Sequence, residues 1–553
     1  MSSRGKKWVC QGVTDNGQQP SNQNPVGRHE PYENYGDDCV ICGLTREQVI
    51  PERRLPVKRI AIAAGIVALL GIGSGLILRS CDDGQSGSGP TSTPTPTPGS
   101  TSTPGSTSTS PFREDNSEYS ASFSRGQRTL FTETPSPPRD QGIELFKQQK
   151  YQEATNSFKR AVAGDQNNPE LLIFYNNALA RQKGEPFTLA VVVPVDSRRN
   201  SAKEMLRGVA QAQNQFNAKG GRNGRLLEIL IVNDGNQPEK AALVAQQLIT
   251  DDSVLGVIGH NSSSASESGL QEYKQAGLAM ISPTSTSTAL SSDVFFRTVP
   301  SDAAAGQQLA QYVYYDLYLT RAVVFYNPNS SFSNSLRQAF EDEFIALGGQ
   351  LVGQQQGTTD TQAGLKDISS SSFNASAEVN ASSFEDQAEA AVLIPNADYT
   401  SVAIEIARAN SNLPEGQRLK LVGGDSLYSA DTLTAGGESV EGLVLAVAWF
   451  ADIPEAQNFK QAGQQQWGGI VNWRTAMSYD ATQAFINAFS DDATRSTILE
   501  NLRLVNISAD ETSGKELGFT QEGERQSDPV LVEVVRGSNN KVPGSEFGYE
   551  LVP

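Results

Sequence analysis

The sequence predicts a mixed α/β protein of two lobes built on parallel sheets, preceded by a small all-α helical unit and one transmembrane helix. Three observations carry this. From Phe187 onward, apolar strand-like runs alternate with amphipathic helical stretches, the rhythm of right-handed βαβ units around parallel sheets. That region holds about 365 residues, too many for one small sheet, so two lobes are expected. Upstream, Ile60 to Leu78 run 19 residues without a charge. As a helix this stretch rises about 28 Å, enough for a hydrocarbon core.

The elements follow in chain order. Residues 1–59 form a tail with three of the four cysteines, Cys10, Cys39 and Cys42. Cys39-x-x-Cys42 looks like one zinc knuckle, and structural zinc needs four ligands. Only Cys10 and His29 are at hand to complete the set, so the tail reads either as a partial zinc ribbon or as a reduced, irregular segment. Arg53, Arg54, Lys58 and Arg59 precede the apolar stretch at 60–78. This positive flank predicts a cytoplasmic N-terminus and an extracytoplasmic C-terminal bulk, as in a single-pass protein of the inner membrane. A cleaved signal peptide is the rival, though nearly sixty residues is a long preface for one. "LRSC" around Cys81 faintly resembles a lipoprotein cleavage box, in which Arg79 sits badly.

Residues 79–137 are rich in Ser, Thr, Pro and Gly. They read as a disordered tether with too little apolar surface to fold. Residues 138–184 turn helical. Gly142, Leu145, Tyr151, Ala154, Phe158, Ala161 and Pro169 resemble the tetratricopeptide signature, with a longer turn before Pro169. One such repeat cannot bury its own face, so it is expected to pack on the domain that follows.

That domain opens with "TLAVVVPV", continuous in apolar character as a strand covered on both faces should be. Ala202 to Phe216 follow as a helix with Met205, Leu206, Val209 and Phe216 on one side. "NAKGGRNG" is a turn, "LLEILIV" a strand, Glu239 to Ile249 a helix and "VLGVIG" the third strand. The pattern continues through "LAMIS", "RAVVFY", "AAVLIP" and "LKLVGG".

Composition narrows the function. The formal net charge of -18 argues against nucleic acid or an anionic membrane surface as partner. His260 is the one histidine after the apolar stretch, which limits Ser-His-Asp and zinc-hydrolase chemistry. Next to serines it reads as a candidate base or as a structural strand-end residue. No GxSxG elbow accompanies it.

"FNAKGGRNGR", "VIGHNSSSAS", "AMISPTSTSTAL", "VFFRTVPSD", "LVGGDSLYS" and "WRTAMSYDATQAF" occur in that order across residues 187–553. With these landmarks the region resembles type I periplasmic solute-binding proteins, specifically the leucine/isoleucine/valine-binding receptors of ABC transporters. The resemblance implies two α/β lobes joined by three crossovers, with the ligand in the cleft between them. It places the first lobe at about 187–302 and 450–525 and the second at about 303–449 and 526–553.

Ligands of open parallel α/β lobes sit outside the carboxyl ends of strands. Ser262 to Ser264 occupy such a place, and Ser264-x-x-Glu267 reads as a capping box at a helix start. Free N–H groups there suit a carboxylate. By the resemblance, Ser263 and Ser264 hold the ligand's α-carboxylate, with Ser263 the better contact and Ser264 the cap. Ser285 and Thr286 match positions contacting the amino-acid backbone, and Asp425 matches the acid that pairs with the α-ammonium. Phe332 and Tyr399 fall near positions that supply aromatic walls. Each has a plainer reading as a turn, cap or core residue. Near Ser201 the amino-acid receptors carry an aromatic residue, whereas "VDSRRNSAKE" is polar and basic here. Arg198 and Arg199 read as solvated loop residues or as partners for a second ligand carboxylate.

The resemblance implies a membrane-anchored solute receptor for an amino acid or amide-like small molecule, working with an ABC permease. No cofactor is required for ligand binding; structural zinc is confined to the tail. A non-transport regulator of the same fold, an activator of penicillin-binding proteins or a ligand-sensing signalling protein, is the alternative. Ser263, Ser285 and Asp425 favour the receptor, and an enzyme is the remotest reading.

Overall fold

The computed structural model describes residues 8–10, 32–34, 121–132, 135–353, 364–469, 471–542 and 544–552. The chain forms two compact units, Met1–Pro111 and Phe112–Pro553. In the first, β1 (Trp8–Cys10) pairs antiparallel with β2 (Tyr32–Asn34). His29, Cys39, Cys42 and the apolar stretch at 60–78 lie outside the described residues, and Cys10 is described only as the end of β1. Among the described residues no helix is long and apolar enough to cross a membrane.

The second unit opens with β3 (Phe123–Ser124) and three helices, α1 (Pro137–Lys147), α2 (Tyr151–Gly164) and α3 (Pro169–Lys183). The first lobe continues through β4 (Phe187–Val193), α4 (Arg199–Ala218), β5 (Leu227–Asn233), α5 (Pro238–Ile249), β6 (Val254–Ile258), α6 (Ser263–Gln275), β7 (Met280–Ser282) and β8 (Phe295–Arg297). Its sheet runs β3-β5-β4-β6-β7-β8, parallel throughout except for β3. All seven residues of β4 are buried, as its unbroken apolar run requires.

The strand β3 corrects the expectation of a tether reaching residue 137. Phe123 is buried and pairs with Val232 on the free edge of β5. Beyond β3 that edge is closed by α3. The Asn177 side chain donates to the Ile229 carbonyl (2.7 Å) and accepts from the Ile229 N–H (2.8 Å), an amide standing in for a strand. Arg181 adds a two-pronged pair to Glu228, fully buried on β5, at 2.5 Å for each contact. The helical unit thus packs on the first lobe and blunts an edge that would otherwise invite pairing with another chain.

The second lobe holds α7 (Asp302–Gln311), β9 (Arg321–Tyr326), α8 (Ser331–Ala346), β10 (Gln350–Leu351), β11 (Leu365–Asp367), α9 (Ala375–Asn380), β12 (Ala390–Ile394), α10 (Thr400–Ser411), β13 (Lys420–Gly423), α11 (Ala430–Gly436) and β14 (Val444–Val447). The chain then returns to the first lobe with α12 (Gln457–Trp467), α13 (Trp473–Ala488), α14 (Arg495–Leu502) and the short pair β15 (Asn506–Ile507) and β16 (Leu517–Gly518). It ends in β17 (Val530–Arg536) and β18 (Phe547–Leu551) on the second sheet. That sheet runs β10-β9-β12-β13-β14-β17-β18, with β11 also on β9 and only the last two strands antiparallel. The main chain therefore crosses between the sheets three times.

Against α4 lies α13. A side chain at Gly208 would meet the Thr475 carbonyl at 2.1 Å, so only glycine permits this close approach.

Candidate functional site

The candidate residues gather at the carboxyl ends of strands from both sheets. Ser263 follows β6, Thr286 follows β7 and Asp425 follows β13. The lobes are closed on one another. Ser264 Oγ lies 3.4 Å from Ser331 Oγ of α8, and that hydroxyl donates to Glu267 Oε2 at 3.0 Å. The Thr288 N–H donates to Ser335 Oγ at 2.8 Å, and Arg198 forms an ion pair with Asp398.

The cap of α6 is Ser262, not Ser264. Ser262 is extended (φ -101°, ψ 153°), and its hydroxyl accepts from the Ala265 N–H. Ser264 therefore stands one residue into the helix, where its hydroxyl is free to reach across to α8. Three consecutive serines offer equal caps; the backbone chooses the one preceding the first helical residue. Ser263 is buried, and its Oγ accepts from the Ser287 N–H at 3.4 Å.

Thr286 and Asp425 line one cavity between the lobes, together with Pro300, Asp302, Leu336 and Pro529. Ser285 does not line it. Its hydroxyl bonds Ser266 Oγ (2.7 Å) beneath α6, and its N–H donates to Ser282 Oγ (2.9 Å). The Phe332 ring would lie 3.3 Å from a side chain at Gly424, so it flanks the Asp425 turn without lining the cavity. Tyr399 ends the turn Ala397–Tyr399, half-buried against the core. The loop after β7 is held in shape by Arg297, which is fully buried and donates to the carbonyls of Ser287 (3.0 Å) and Leu290 (2.8 Å).

Two site residues are illegible as such in the sequence. Asp302 begins α7 and is buried. Burial pushes its carboxyl up to about 8, against the nearby Thr286 and Ser335 hydroxyls and with the help of the Asp425 charge. Asp425 is pushed up to about 6 by burial, opposed by the Arg474 guanidinium and the Ser426 N–H. Arg474, near the start of α13, is the other residue. Both sit inside landmarks the sequence does display, "VFFRTVPSD" and "WRTAMSYDATQAF", where they read as ordinary first-turn residues.

His260 is fully buried. Its Nδ1 pairs with Asp234 (2.7 Å) and its Nε2 with the Tyr273 hydroxyl (3.0 Å). Both ring nitrogens are occupied by groups other than serine, so it serves the lobe's interior and not a nucleophile. Gly269 leaves room for the ring, since a side chain there would meet Nε2 at 2.4 Å.

The profile of the periplasmic binding protein family matches residues 186–539. The Leu/Ile/Val-binding protein of Escherichia coli K12 is 32% identical over 145 residues, covering 26% of this chain and 38% of that protein. The Leu/Ile/Val/Thr-binding protein of Salmonella typhimurium is 25% identical over 293 residues, 52% of this chain and 75% of that protein. The chain spans only 21% of the amino acid binding protein of Pseudomonas aeruginosa, at 36% identity over 80 residues. A leucine-binding protein from Thermotoga maritima superposes with a TM-score of 0.55 at 20% identity, over 66% of this chain and 99% of that one. A solute-binding protein of an ABC transporter from Rhodopseudomonas palustris, in complex with 3,4-dihydroxybenzoic acid, gives a TM-score of 0.54 at 14% identity, over 66% and 97% of the two chains. At these identities the structural likeness establishes the fold.

Proposed function

The chain belongs to the periplasmic binding protein family, and from that premise we propose that it is the extracytoplasmic solute receptor of an ABC-type transporter. Its ligand is an amino acid or a similar small zwitterion or amide, bound between the lobes. The observation that carries this reading is that Thr286 from one lobe and Asp425 from the other line one cavity between the lobes. Ser263, at the first turn of α6, lies among free N–H groups that favour a carboxylate. The carboxylate of Asp425 supplies the complementary charge for an ammonium. Ser264, Ser285, Phe332 and Tyr399 support this cleft at one remove. Hinge closure would present the closed form to the permease.

A span at 60–78 tethers the receptor beside its permease and raises its effective concentration there. Within the same proposal, residues 138–184 are a tetratricopeptide-like adaptor. The cytoplasmic tail holds structural zinc through Cys10, His29, Cys39 and Cys42. Metal analysis of the purified full chain after dialysis should find one zinc per chain, lost in Cys39→Ser/Cys42→Ser. A metal-free wild type refutes the zinc.

The receptor reading is tested by thermal shift of the full chain against amino acids, amides and small carboxylates. A ligand that binds only the folded state raises the apparent stability by about 2.7 kcal/mol at a hundredfold excess over Kd. At least one amino acid or amide should shift the transition, and Asp425→Ala should reduce the shift at the same ligand concentration. A flat panel would refute the receptor and favour a regulator of penicillin-binding proteins or of signalling, which needs no small ligand.

A further inference from the structure

The cation nearest Asp425 has no partner of its own. Arg474 is the second residue of α13, and its guanidinium stacks on the Trp473 ring at 4.3 Å. No described residue accepts a hydrogen bond from that guanidinium, and its Nε is buried. The adjacent Trp473 indole N–H is likewise buried without an acceptor. Two neighbouring donors therefore lack acceptors at the same spot, which is costly unless another molecule supplies them.

The surrounding charges do not fill the need. Asp425 is close enough to interact electrostatically with Arg474, yet the two form no ion pair. Glu204, the other acid nearby, is already committed to Arg207 and to Thr475 Oγ1, which donates at 2.6 Å. Arg198 adds a second positive charge, itself paired with Asp398. The first turn of a 16-residue helix is also where a cation is disfavoured and an anion favoured. Nor can Arg474 easily withdraw: Gly208 and the Thr475–Glu204 bond hold the start of α13 against α4.

We propose that the cleft takes an acidic amino acid, and that Arg474 selects it by donating to the side-chain carboxylate in a two-pronged, charge-assisted contact. This rests on the receptor reading above and sharpens it. The ammonium goes to Asp425, the α-carboxylate to the serine-lined start of α6, and the second carboxylate to Arg474. A neutral side chain would leave the buried Nε of Arg474 without an acceptor.

Isothermal titration of the full chain with L-glutamate, L-aspartate, L-glutamine, L-asparagine and L-leucine tests this. One acid should bind at least ~10-fold more tightly than its own amide, the usual scale for a charged hydrogen-bond partner. R474Q should abolish that preference while still binding the amide, and R474K should restore part of it. A neutral amino acid bound as tightly as either acid overturns the inference and leaves the receptor standing. So does an acid-to-amide ratio unchanged in R474Q. Should R474Q fail to fold, the wild-type ratio decides alone. Binding of none of the five overturns the inference, and the receptor reading then stands or falls on the wider thermal-shift panel.

Discussion

Arg525→Met is expected to cost about 3–5 kcal/mol of folding stability, the range for stripping one partner from a buried ion pair. Arg525 Nη1 lies 2.6 Å from Asp480 Oδ2, with both side chains essentially excluded from water. The pair stands where the crossings between lobes converge. Arg525 belongs to the third crossing and donates to the carbonyl of Thr298, on the first, at 3.3 Å. Asp480 accepts from the N–H (2.7 Å) and hydroxyl (2.8 Å) of Ser513. The Ser513 carbonyl in turn accepts from the Trp449 indole of the second crossing at 3.0 Å. Burial already raises the Asp480 carboxyl, with Arg525 opposing. Without Arg525 that carboxyl rises further, so the destabilisation should be largest at neutral pH and shrink as the pH falls and the acid takes up a proton. Asp480→Asn/Arg525→Met should recover most of the loss, because it removes the uncompensated charge. Urea denaturation of the wild type and both variants gives the comparison. A loss of under about 1 kcal/mol for Arg525→Met, the scale of an exposed pair, would show that the junction is solvated.

Much of the scaffold was legible because its signal is periodic. The apolar runs ending at Val193, Ile258, Ile394 and Gly423 are strands buried on both faces, and burial on both faces produces an unbroken apolar run. The strand at Phe123–Ser124 was not legible. Two residues carry no period, and their Ser-rich surroundings match a tether; only the pairing with β5, about a hundred residues downstream, makes them a strand. The site divides in the same way. Asp425 stands out through the resemblance, which matches it to the acid that pairs with a ligand's α-ammonium. Asp302 does not, because Ser301 caps the helix that Asp302 begins, and a cap followed by an acid is the ordinary chemistry of a helix start. Its burial arises from the fold around the first crossing, which local sequence does not report. Ser285 fails in the opposite sense. It lies in a hydroxyl-rich loop at the right strand end, but backbone direction turns it under α6, and its neighbour Thr286 reaches the cavity.

With a ligand ammonium beside them, the two raised carboxyls should make affinity a function of pH. Burial pushes Asp302 up to about 8 and Asp425 up to about 6, against 3.8 for an ordinary aspartate. Each folded-state value lies above its unfolded one, so the native state holds more protons between about 4 and 8, and the stability of the protein falls as the pH rises through that window. Asp302→Asn cannot ionise and should be more stable than the wild type at pH 8, with the advantage fading toward pH 4. An ammonium ligand reverses the sense, because it needs the ionised carboxylate and displaces the proton. Affinity should therefore strengthen from pH 5 to pH 8, by up to ~10-fold per pH unit where one proton leaves on binding. Asp302→Asn should retain the rise around pH 6, which belongs to Asp425, and lose the part above it. Asp425→Ala should weaken binding roughly 10- to 100-fold at pH 8, the scale of a charge-assisted hydrogen bond. Titrations at four pH values in wild type and both variants separate the contributions. A pH-independent affinity in the wild type would remove both acids from the ammonium's surroundings. A pH dependence confined to the region above 7 would leave Asp302 there and exclude Asp425.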